Sequence, residues 1–550
     1  MAIVSTHVAR TLAQHVHEVF GLMGNGNAYF LDALLRETDT TFTAVRHEAG
    51  AVVAADAHFR TSGRIAAAST TYGAGFTNTL TALAEAAQAR IPLVLVVGDE
   101  PTSGRRPWDV DQIALSSAVG VRTYTVGRMD AAAATVTAIE HALAYRVPVV
   151  LAIPYDVAQR EIGEVPTVPG PGRPAPLAPT ADFTRAAIER LASMLAAAER
   201  PLLLAGHGAW LAGAGPALGE LAAATGAVTS TTALGRGIFP EARYDIGVSG
   251  GFGAPGAMEL VRSADVAVVV GAGMNQFTMR FGELFAPHTA VWQIDTAPSA
   301  TNARVGGFVR ADARLAAEAL TAALPALEGA TQPWRESIDA SALRAQVSAP
   351  ELAEDELLDP RAAAARLAEL LPEDRVVVSD GGHFIAWANM YWPVAAPHRM
   401  AMVGTAYQSI GLGWPSVPGA ARANPDSTIV LTTGDGGGVM ALADLDSAVR
   451  TAGGRGLAVV WNDAAYGAEV NLYGLKGLAA EPMLIDRIDF AAYGAAAGAE
   501  GVVVRRLEDL ERLRTWSQED PAQRSFLVLD LQISRTVIAP YQEEVIRVNS

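Results

Sequence analysis

The sequence predicts an α/β protein made of three doubly wound parallel-sheet domains. Strand-sized runs of Val, Ile and Leu recur along the 550 residues and alternate with Ala/Leu-rich stretches of helical periodicity. Unbroken apolar strands separated by helices are typical of parallel sheets that are covered on both faces. Half of the residues are hydrophobic and 18% are charged, which is enough apolar surface for several large cores.

The apolar runs define the strand candidates in chain order. Ala/Leu-rich stretches of helical pattern space them along the chain. The clearest candidates are 91–98, 147–154, 201–206, 264–273, 375–382, 427–436 and 456–463.

Two stretches without either pattern divide the chain. Residues 163–180 are dense in proline, which excludes a helix or a central strand there. The region around 325–360 is charged, with scattered prolines and no strand pattern. We therefore predict an N-terminal domain at 1–165, a central domain at 180–345 and a C-terminal domain at 360–550.

Composition excludes several classes of function. The net charge is −17 and no basic block is present, which argues against nucleic acid or an anionic membrane as the main partner. The chain has no cysteine, hence no disulfide and no catalytic thiol. The N-terminus lacks the pattern of a signal peptide, and no apolar run reaches the length of a membrane span. These features predict a cytoplasmic protein.

An acidic residue in a glycine-rich turn indicates a metal site. "TIVLTTGDGGG" is a strand candidate that runs into a turn containing Asp435, and the next strand candidate ends at Asn462 and Asp463. The intervening helical pattern makes a strand–helix–strand unit, so both strand ends lie at the carboxyl edge of one sheet. Two oxygen ligands beside a diphosphate suit Mg²⁺. A dinucleotide fingerprint is not matched, because Val439 occupies its last glycine position.

This motif resembles the diphosphate motif of thiamine diphosphate (ThDP) enzymes, in the three-domain group of acetolactate synthase and benzoylformate decarboxylase. The resemblance covers nearly the whole chain. It implies a pyrimidine-binding, a central and a diphosphate-binding domain, with ThDP and Mg²⁺ as cofactors. Asp435 would bind the metal together with Asp463, which we prefer, or with Asn462. The carbonyl of Ala465 would be a further ligand, and the residues around the diphosphate would include Gly434, Gly436, Gly437 and Tyr466.

Three other segments match the same family. Glu48, at the start of an Ala-rich helix, would hydrogen-bond the N1′ atom of the aminopyrimidine and promote its 4′-imino form. In "TAYQSIGLGWP" the Gln408 carbonyl would face N4′, and Ile410 would wedge between the two cofactor rings. In "SDGGHF" the residues expected at the phosphates are Gly381, Gly382 and His383.

The resemblance also suggests residues on the substrate side. Tyr72 and Gln112 are candidate catalytic residues, and Glu469 is a candidate acid near the substrate. Weaker candidates for polar contacts are Asn25, Asn27, Thr71 and Asp111.

The expected chemistry is C–C bond making and breaking on 2-oxo acids. Decarboxylase relatives carry one or two histidines near the equivalent of Thr71-Tyr72, and this segment has none. Without this proton shuttle, protonation of the enamine intermediate should be slow, which favours carboligation to a second 2-oxo acid or an aldehyde. A non-ligating decarboxylase and a flavin-dependent oxidase remain alternatives. Residues 271–284 resemble the relatives without FAD. The family implies a homodimer or homotetramer.

Overall fold

Three six-stranded parallel sheets organise the chain, which the computed structural model describes at residues 2–325 and 333–549. A small antiparallel pair, formed by the first and last strands of the N-terminal domain, is added to them. The fold class predicted from the sequence is therefore confirmed. The stretch 326–332 of the second predicted linker, and the terminal residues of domains 1–165 and 360–550, lie outside the described residues.

The N-terminal domain contains fifteen helices and strands. Its strands are β1 (Ala2–Ile3), β2 (Glu18–Gly21), β3 (Thr41–Ala44), β4 (Ala66–Thr70), β5 (Leu93–Asp99), β6 (Arg122–Thr125), β7 (Pro148–Pro154) and β8 (Glu161–Gly163). Its helices are α1 (Val4–Leu12), α2 (Ala28–Glu37), α3 (Glu48–Ser62), α4 (Ala74–Thr77), α5 (Leu80–Gln88), α6 (Gln112–Ala118) and α7 (Ala131–Tyr145). No helix or strand is assigned at the described residues 164–181, where the proline-rich linker was predicted.

The central domain follows. Its strands are β9 (Pro201–Ala205), β10 (Val228–Thr231), β11 (Asp245–Val248), β12 (Val266–Val270), β13 (Ala290–Asp295) and β14 (Gly307–Arg310). Its helices are α8 (Asp182–Ala197), α9 (His207–Leu211), α10 (Gly215–Thr225), α11 (Pro255–Ser263), α12 (Ala313–Ala323), α13 (Pro333–Glu336) and α14 (Ala340–Leu343).

The C-terminal domain completes the described chain. Its strands are β15 (Arg375–Ser379), β16 (Met400–Met402), β17 (Thr428–Gly434), β18 (Gly456–Asn462), β19 (Glu500–Val504) and β20 (Leu527–Gln532). Its helices are α15 (Pro360–Leu370), α16 (Ile385–Tyr391), α17 (Gly413–Ala423), α18 (Asp435–Met440), α19 (Leu445–Ala452), α20 (Gly467–Leu472), α21 (Phe490–Ala496), α22 (Glu511–Gln518) and α23 (Pro540–Asn549).

The two outer domains share one topology. Their strand orders, β3-β2-β4-β5-β7-β6 and β16-β15-β17-β18-β20-β19, are the same order in relative numbering. The central sheet differs, with the order β11-β10-β9-β12-β13-β14 of a nucleotide-binding sheet. The division at 1–165, 180–345 and 360–550 stays a prediction about domain boundaries.

Helices α3 and α17 occupy equivalent places in the two outer domains and pack against each other. They meet so closely that a Cβ atom at Gly419 would lie 1.9 Å from the Ala54 carbonyl oxygen. Each helix begins beside a predicted cofactor segment, since α3 starts at Glu48 and α17 follows Ile410 by three residues. This crossing therefore sets the placement of α3 relative to α17 within one chain.

The glycine-rich turn predicted after β17 is instead the start of a short helix, α18. The helical pattern predicted between this strand candidate and the next is divided into α18 and α19, with α19 starting at Leu445. The glycines are required by packing, because a Cβ atom at Gly436, Gly437 or Gly438 would lie within 2.9 Å of a neighbouring side chain. These neighbours are Tyr466, Asp380 and Phe490. Close packing thus outweighs the low helix propensity of glycine.

Among the described helices, none combines the length and the apolarity that a membrane span requires.

Candidate active site

Two buried carboxylates meet at the carboxyl edge of the C-terminal sheet. Asp435 follows β17 directly, and Asp463 follows the neighbouring strand β18; their exposed fractions are 3% and 8%. The Asp435 oxygens accept the backbone N–H groups of Gly436 (2.9 Å) and Ala464 (2.7 Å). Asp463 accepts the N–H group of Ala465 at 3.1 Å. Asp435 therefore ties the loop after β18 to the end of β17, while Asp463 bonds within that loop.

The electrostatics of this pair are unfavourable without a cation. Burial raises the pKa of Asp435, although the backbone N–H groups around it oppose the rise. Burial also raises the pKa of Asp463, and the charge of Asp435 raises it further. Two like charges that share a buried site favour either a proton or a metal ion between them.

The donor set fits a hard divalent cation with few protein ligands. No group of three or more His, Cys, Asp or Glu side chains suited to a metal occurs among residues 2–325 and 333–549. Mg²⁺ commonly takes only one or two carboxylates from the protein and completes its octahedron with phosphate oxygens and water. Asp435 and Asp463 match this requirement, and Ala465 lies in the same loop.

Asn462 and Asp463 have different environments. Asn462 is fully buried, and its amide nitrogen donates to Ile488 O (2.7 Å) and to Asp530 Oδ1 (2.8 Å) on β20. Adjacent residues of a strand point to opposite faces of the sheet. Asn462 Oδ1 is buried without a hydrogen-bond partner among the described residues, so both side chains offer an oxygen and the preference for Asp463 as the partner of Asp435 stays a prediction. The backbone turns sharply after this pair, because Ala464 has a φ angle of +57°.

His383 lies on the other side of Asp463. Its Nε2 atom accepts the Ala539 N–H at 3.0 Å, and burial lowers its pKa to about 4. The neutral ring must then carry its proton on Nδ1. A Cβ atom at Gly467 would lie 2.8 Å from Asp463 Oδ2 and 3.2 Å from His383 Nδ1, so this glycine keeps the space between the two side chains open.

Asp380 is a residue that the sequence reasoning quoted but did not assign. Its carboxylate accepts the N–H groups of Gly381 (2.8 Å) and Leu412 (3.1 Å) and the hydroxyl of Thr433 (3.1 Å). Burial raises its pKa to about 6. Asp380 therefore ties together the two turns predicted at the diphosphate and the segment predicted to bend the cofactor. The signal was available, since Asp380, like Asp435, follows a buried strand and precedes glycine.

The segment that carries Gln408 and Ile410 lies beside the first of these turns. A Cβ atom at Gly381 would be 3.0 Å from the Ser409 carbonyl oxygen and 3.4 Å from Ile410 Cγ2. Gln408 has a φ angle of +61°, an unusual conformation for a residue other than glycine. Such backbone strain concentrates at ligand-binding segments.

Glu48 stands at the first position of α3 in the N-terminal domain. It is half-buried, and its Oε2 atom accepts the Asn78 side-chain amide at 2.9 Å. Gly75 leaves room for it, because a Cβ atom there would be 3.4 Å from Glu48 Oε1 and 2.6 Å from Thr71 Cγ2. The carboxyl group is thus held next to the loop that follows β4.

The candidate substrate-side residues share the carboxyl edge of the N-terminal sheet. The Asn25 amide donates to the Tyr72 hydroxyl at 2.9 Å, and the Gly26 N–H donates to Thr71 Oγ1 at 2.9 Å. Asn27 turns inward and donates to Ser69 Oγ at 3.0 Å. The three loops after β2, β4 and β5 therefore form one surface.

Gln112 is buried and fully engaged. Its amide nitrogen donates to the Gly98 carbonyl and to Asp99 Oδ1, both at 3.0 Å, and its oxygen accepts the Gly73 N–H at 3.0 Å. Asp111, next to it, caps helix α6 by accepting the Ala114 N–H at 2.9 Å. These contacts shape the turn after β4, and a direct role of Gln112 in catalysis stays a prediction.

The structure brings the predicted residues together in two groups. One group lies on the C-terminal domain around Asp435 and Asp463, and the other lies on the N-terminal domain around Glu48. Among the described residues, no hydrogen bond or ion pair joins Glu48 to either aspartate. Glu469 lies in α20, after the Asp463 loop, with an exposed side chain.

Comparison with known proteins identifies the family. The N-terminal TPP-binding, central, and C-terminal TPP-binding domains of thiamine pyrophosphate enzymes match residues 3–117, 188–321 and 380–530. The chain belongs to this family, and it is a ThDP-dependent enzyme.

Several curated relatives are similar over most of their length. The large subunit of acetolactate synthase isozyme 2 from Escherichia coli is 29% identical over 80% of this chain and 79% of its own. Isozyme 3 of the same organism is 27% identical, over 96% and 94%. A probable 2-ketoarginine decarboxylase from Pseudomonas aeruginosa is 30% identical, over 92% and 89%.

Proposed function

We propose that this enzyme uses ThDP and Mg²⁺ to decarboxylate a 2-oxo acid and to join the remaining acyl unit to a second carbonyl compound, as acetolactate synthases do. The observation that carries this proposal is the buried pair Asp435 and Asp463, at the edge of a domain that matches the family's C-terminal cofactor domain. The acetolactate synthase relatives support the type of reaction.

Asp435, Asp463 and the Ala465 carbonyl would hold the metal, and the glycines of both turns would contact the diphosphate. His383 would donate from Nδ1, because its Nε2 atom already accepts a backbone N–H group. Bound ThDP would supply a carbon that is nucleophilic once deprotonated, and an electron sink for decarboxylation.

Glu48 would share a proton with the cofactor's N1′ atom. Its half-buried position at the start of α3 and its hydrogen bond from Asn78 support this role, because the amide fixes one carboxyl oxygen and leaves the other free. The Gln408 carbonyl would accept from the cofactor's amino group, and Ile410 would separate its two rings.

The substrate-side loops support ligation over aldehyde release. The segments 22–27, 70–75 and 98–112, which form one surface on the N-terminal domain, contain no histidine. Histidine is the usual proton donor near neutral pH. Tyr72 is held by Asn25 and packs against the Arg106 guanidinium, with 4.1 Å from its ring centre to Cζ, so it provides a fixed polar wall.

A second candidate function is simple decarboxylation of a 2-oxo acid. The probable 2-ketoarginine decarboxylase, which is 30% identical over 92% of this chain, favours it. The same cofactor site would serve both reactions, and the fate of the acyl unit would distinguish them.

The central domain gives a reason to expect no flavin. Ligands of such sheets bind where the strand order reverses, here between β9 and β12. At that point Gly206 N–H donates to Val270 O (2.9 Å) and Gly208 N–H donates to Gly271 O (2.8 Å), so backbone atoms of the two strand ends are in contact. Purified protein should therefore show no flavin absorbance near 450 nm.

Self-association is also part of the proposal, together with a cytoplasmic location. Near the predicted cofactor segments the C-terminal domain exposes apolar side chains, which a second copy would cover. Their exposed fractions range from 36% to 56%, and they are Tyr407, Ile410, Val439 and Met440. Sedimentation should then give a homodimer or homotetramer.

The test is an NMR product assay on protein stripped of metal and cofactor. Pyruvate would be supplied with ThDP and Mg²⁺, with and without an aldehyde or a second 2-oxo acid, and each cofactor would be omitted in turn. Acetolactate or an acyloin that requires both cofactors is the expected result.

Other outcomes select between the candidates. Free acetaldehyde as the main product would favour the decarboxylase. No turnover of pyruvate or of a panel of longer and basic 2-oxo acids, in protein that binds ThDP, would refute both candidates.

A further inference from the structure

A buried ionic network in the N-terminal domain holds a backbone segment of the C-terminal domain. It consists of Asp56 and Arg60 on α3 and Glu85 on α5, with side-chain exposures of 2%, 7% and 1%. Arg60 is paired with Asp56 through a short contact and donates to Glu85 Oε1 at 3.0 Å. The charges leave one carboxylate in excess.

The carboxylate oxygens of Glu85 accept backbone N–H groups of the C-terminal domain. Glu85 Oε2 accepts the Tyr407 N–H at 2.7 Å, and Glu85 Oε1 lies 3.4 Å from the Ala406 nitrogen, which also donates to it. Arg60 Nη1 donates to the Met402 carbonyl oxygen at 2.9 Å. Both ends of the stretch 402–407 are therefore fixed by side chains of the N-terminal domain.

The stretch 402–407 immediately precedes Gln408, which has a strained backbone, and lies close in sequence to Ile410. On its far side, the segment is held by Asp380, which accepts the N–H groups of Gly411 (3.1 Å) and Leu412 (3.1 Å). The five residues from 406 to 410 thus lie between two carboxylates, one from each domain. Within the segment, the Ser409 N–H donates to the Gly404 carbonyl oxygen at 2.8 Å.

Stability alone does not account for such a network. A buried ion pair often adds little net stability, because the cost of removing two charges from water offsets their attraction. Its charged groups do impose directional contacts that an apolar cluster would not. Here these contacts end on backbone atoms next to Gln408.

We propose that Arg60 and Glu85 are positioning residues, which fix the Gln408 carbonyl and the Ile410 side chain in the place where they bend the cofactor. The inference rests on the proposed function, because it assumes that ThDP binds against Ile410. The pair would act on the rings of the cofactor and leave its diphosphate half unaffected, since the diphosphate turns are held by Asp380 and Asp435.

The experiment separates these two halves by calorimetry on full-length protein. It compares the binding of ThDP with that of inorganic pyrophosphate, both in excess Mg²⁺. In Glu85→Gln the new amide cannot accept from both Arg60 and Tyr407. Asp359→Asn is the matched control, because Asp359 is a fully buried carboxylate that also accepts a backbone N–H and an arginine, both from Arg361, away from the segment.

We expect Glu85→Gln to weaken ThDP binding by about tenfold or more, the effect of leaving a buried donor unpaired, and to change pyrophosphate binding less than about twofold. Asp359→Asn should leave both affinities unchanged. Ile410→Ala should reproduce the selective loss. Equal weakening of both ligands in Glu85→Gln, or no weakening of either, would overturn the proposal.

A milder variant keeps the test valid if Glu85→Gln does not fold. Glu85→Asp retains the charge for Arg60 but withdraws from Tyr407, and it should show the same selective loss. Wild-type protein that binds pyrophosphate but not ThDP would overturn the proposed function itself. If wild-type protein binds ThDP but the Glu85 variants show no selective loss, only the positioning role of Arg60 and Glu85 would be overturned.

Discussion

The crossing of α3 and α17 should not tolerate a single added methyl group. In Gly419→Ala the new Cβ atom would lie 1.9 Å from the Ala54 carbonyl oxygen, 2.8 Å from the Ala54 carbonyl carbon and 2.9 Å from the His58 nitrogen. All three neighbours are backbone atoms, so no side chain can rotate away. Carbon atoms in contact rest about 3.5–4.0 Å apart, and the helices would have to separate by more than about 1 Å.

The expected cost follows from this geometry. Overpacking in a core costs about 1–3 kcal/mol, and the upper end applies because two helices must move together. The shift should also reduce activity, since α3 begins with Glu48 and α17 follows Ile410. We expect a loss of about 3 kcal/mol in the free energy of unfolding.

Urea unfolding followed by tryptophan fluorescence measures this loss, because the buried Trp414 lies on α17. The matched control is Gly474→Ala, whose new Cβ atom would meet only Val470 Cγ1 at 3.8 Å. That change should stay within about 0.5 kcal/mol of wild type. If Gly419→Ala were no less stable than Gly474→Ala, the close crossing would be refuted.

Three further predictions test the site and the core. Gln408→Gly should relieve about 1 kcal/mol of left-handed backbone strain. It should keep activity, because only the backbone carbonyl of residue 408 is proposed to act. A tenfold loss in kcat would show that the Gln408 side chain acts instead. Asp463→Asn should raise the half-saturating Mg²⁺ concentration by about tenfold or more in an activity titration. Asn462→Ala should lower the thermal midpoint and leave that Mg²⁺ concentration nearly unchanged. The reverse pattern would make Asn462 the ligand. Burial lowers the pKa of His58 from about 6.5 to about 4, so the unfolded chain binds more protons between these values and stability falls as the pH drops. Between pH 7.5 and 5, His58 should lower the free energy of unfolding by about 2 kcal/mol. Urea unfolding of His58→Asn should therefore show a loss of stability over this pH range that is smaller than the wild-type loss by the same amount. An equal loss in both proteins would contradict the prediction.

The fold and the metal site were predicted from patterns among residues that are close in the sequence. Alternating strand and helix periodicity is a property of neighbouring residues, and it predicted parallel sheets wherever apolar runs alternate with helices. The position of a residue just after a buried strand is equally local. It predicted that Asp435 and Asp463 would meet at one sheet edge, as they do.

Other features depended on contacts that no local pattern records. The sequence left Asn462 and Asp463 open, and the preference for Asp463 stays a prediction, although only the tertiary structure shows that Asp530 on β20 accepts the Asn462 amide nitrogen. The glycines predicted to form a turn after Asp435 lie instead in helix α18, where side chains from distant segments pack against them.

The sequence by itself determined the α/β class, the family and the strand ends that carry the acidic residues, because these follow from periodicity and short motifs. Only the tertiary structure decided how the two halves of the site are related within the chain. Glu85 and Tyr407 are 322 positions apart, and the gap is closed by the packing of two domains. Such a contact forms only when the cores of both domains pack against each other. Its physical cause is therefore absent from any short stretch of the sequence.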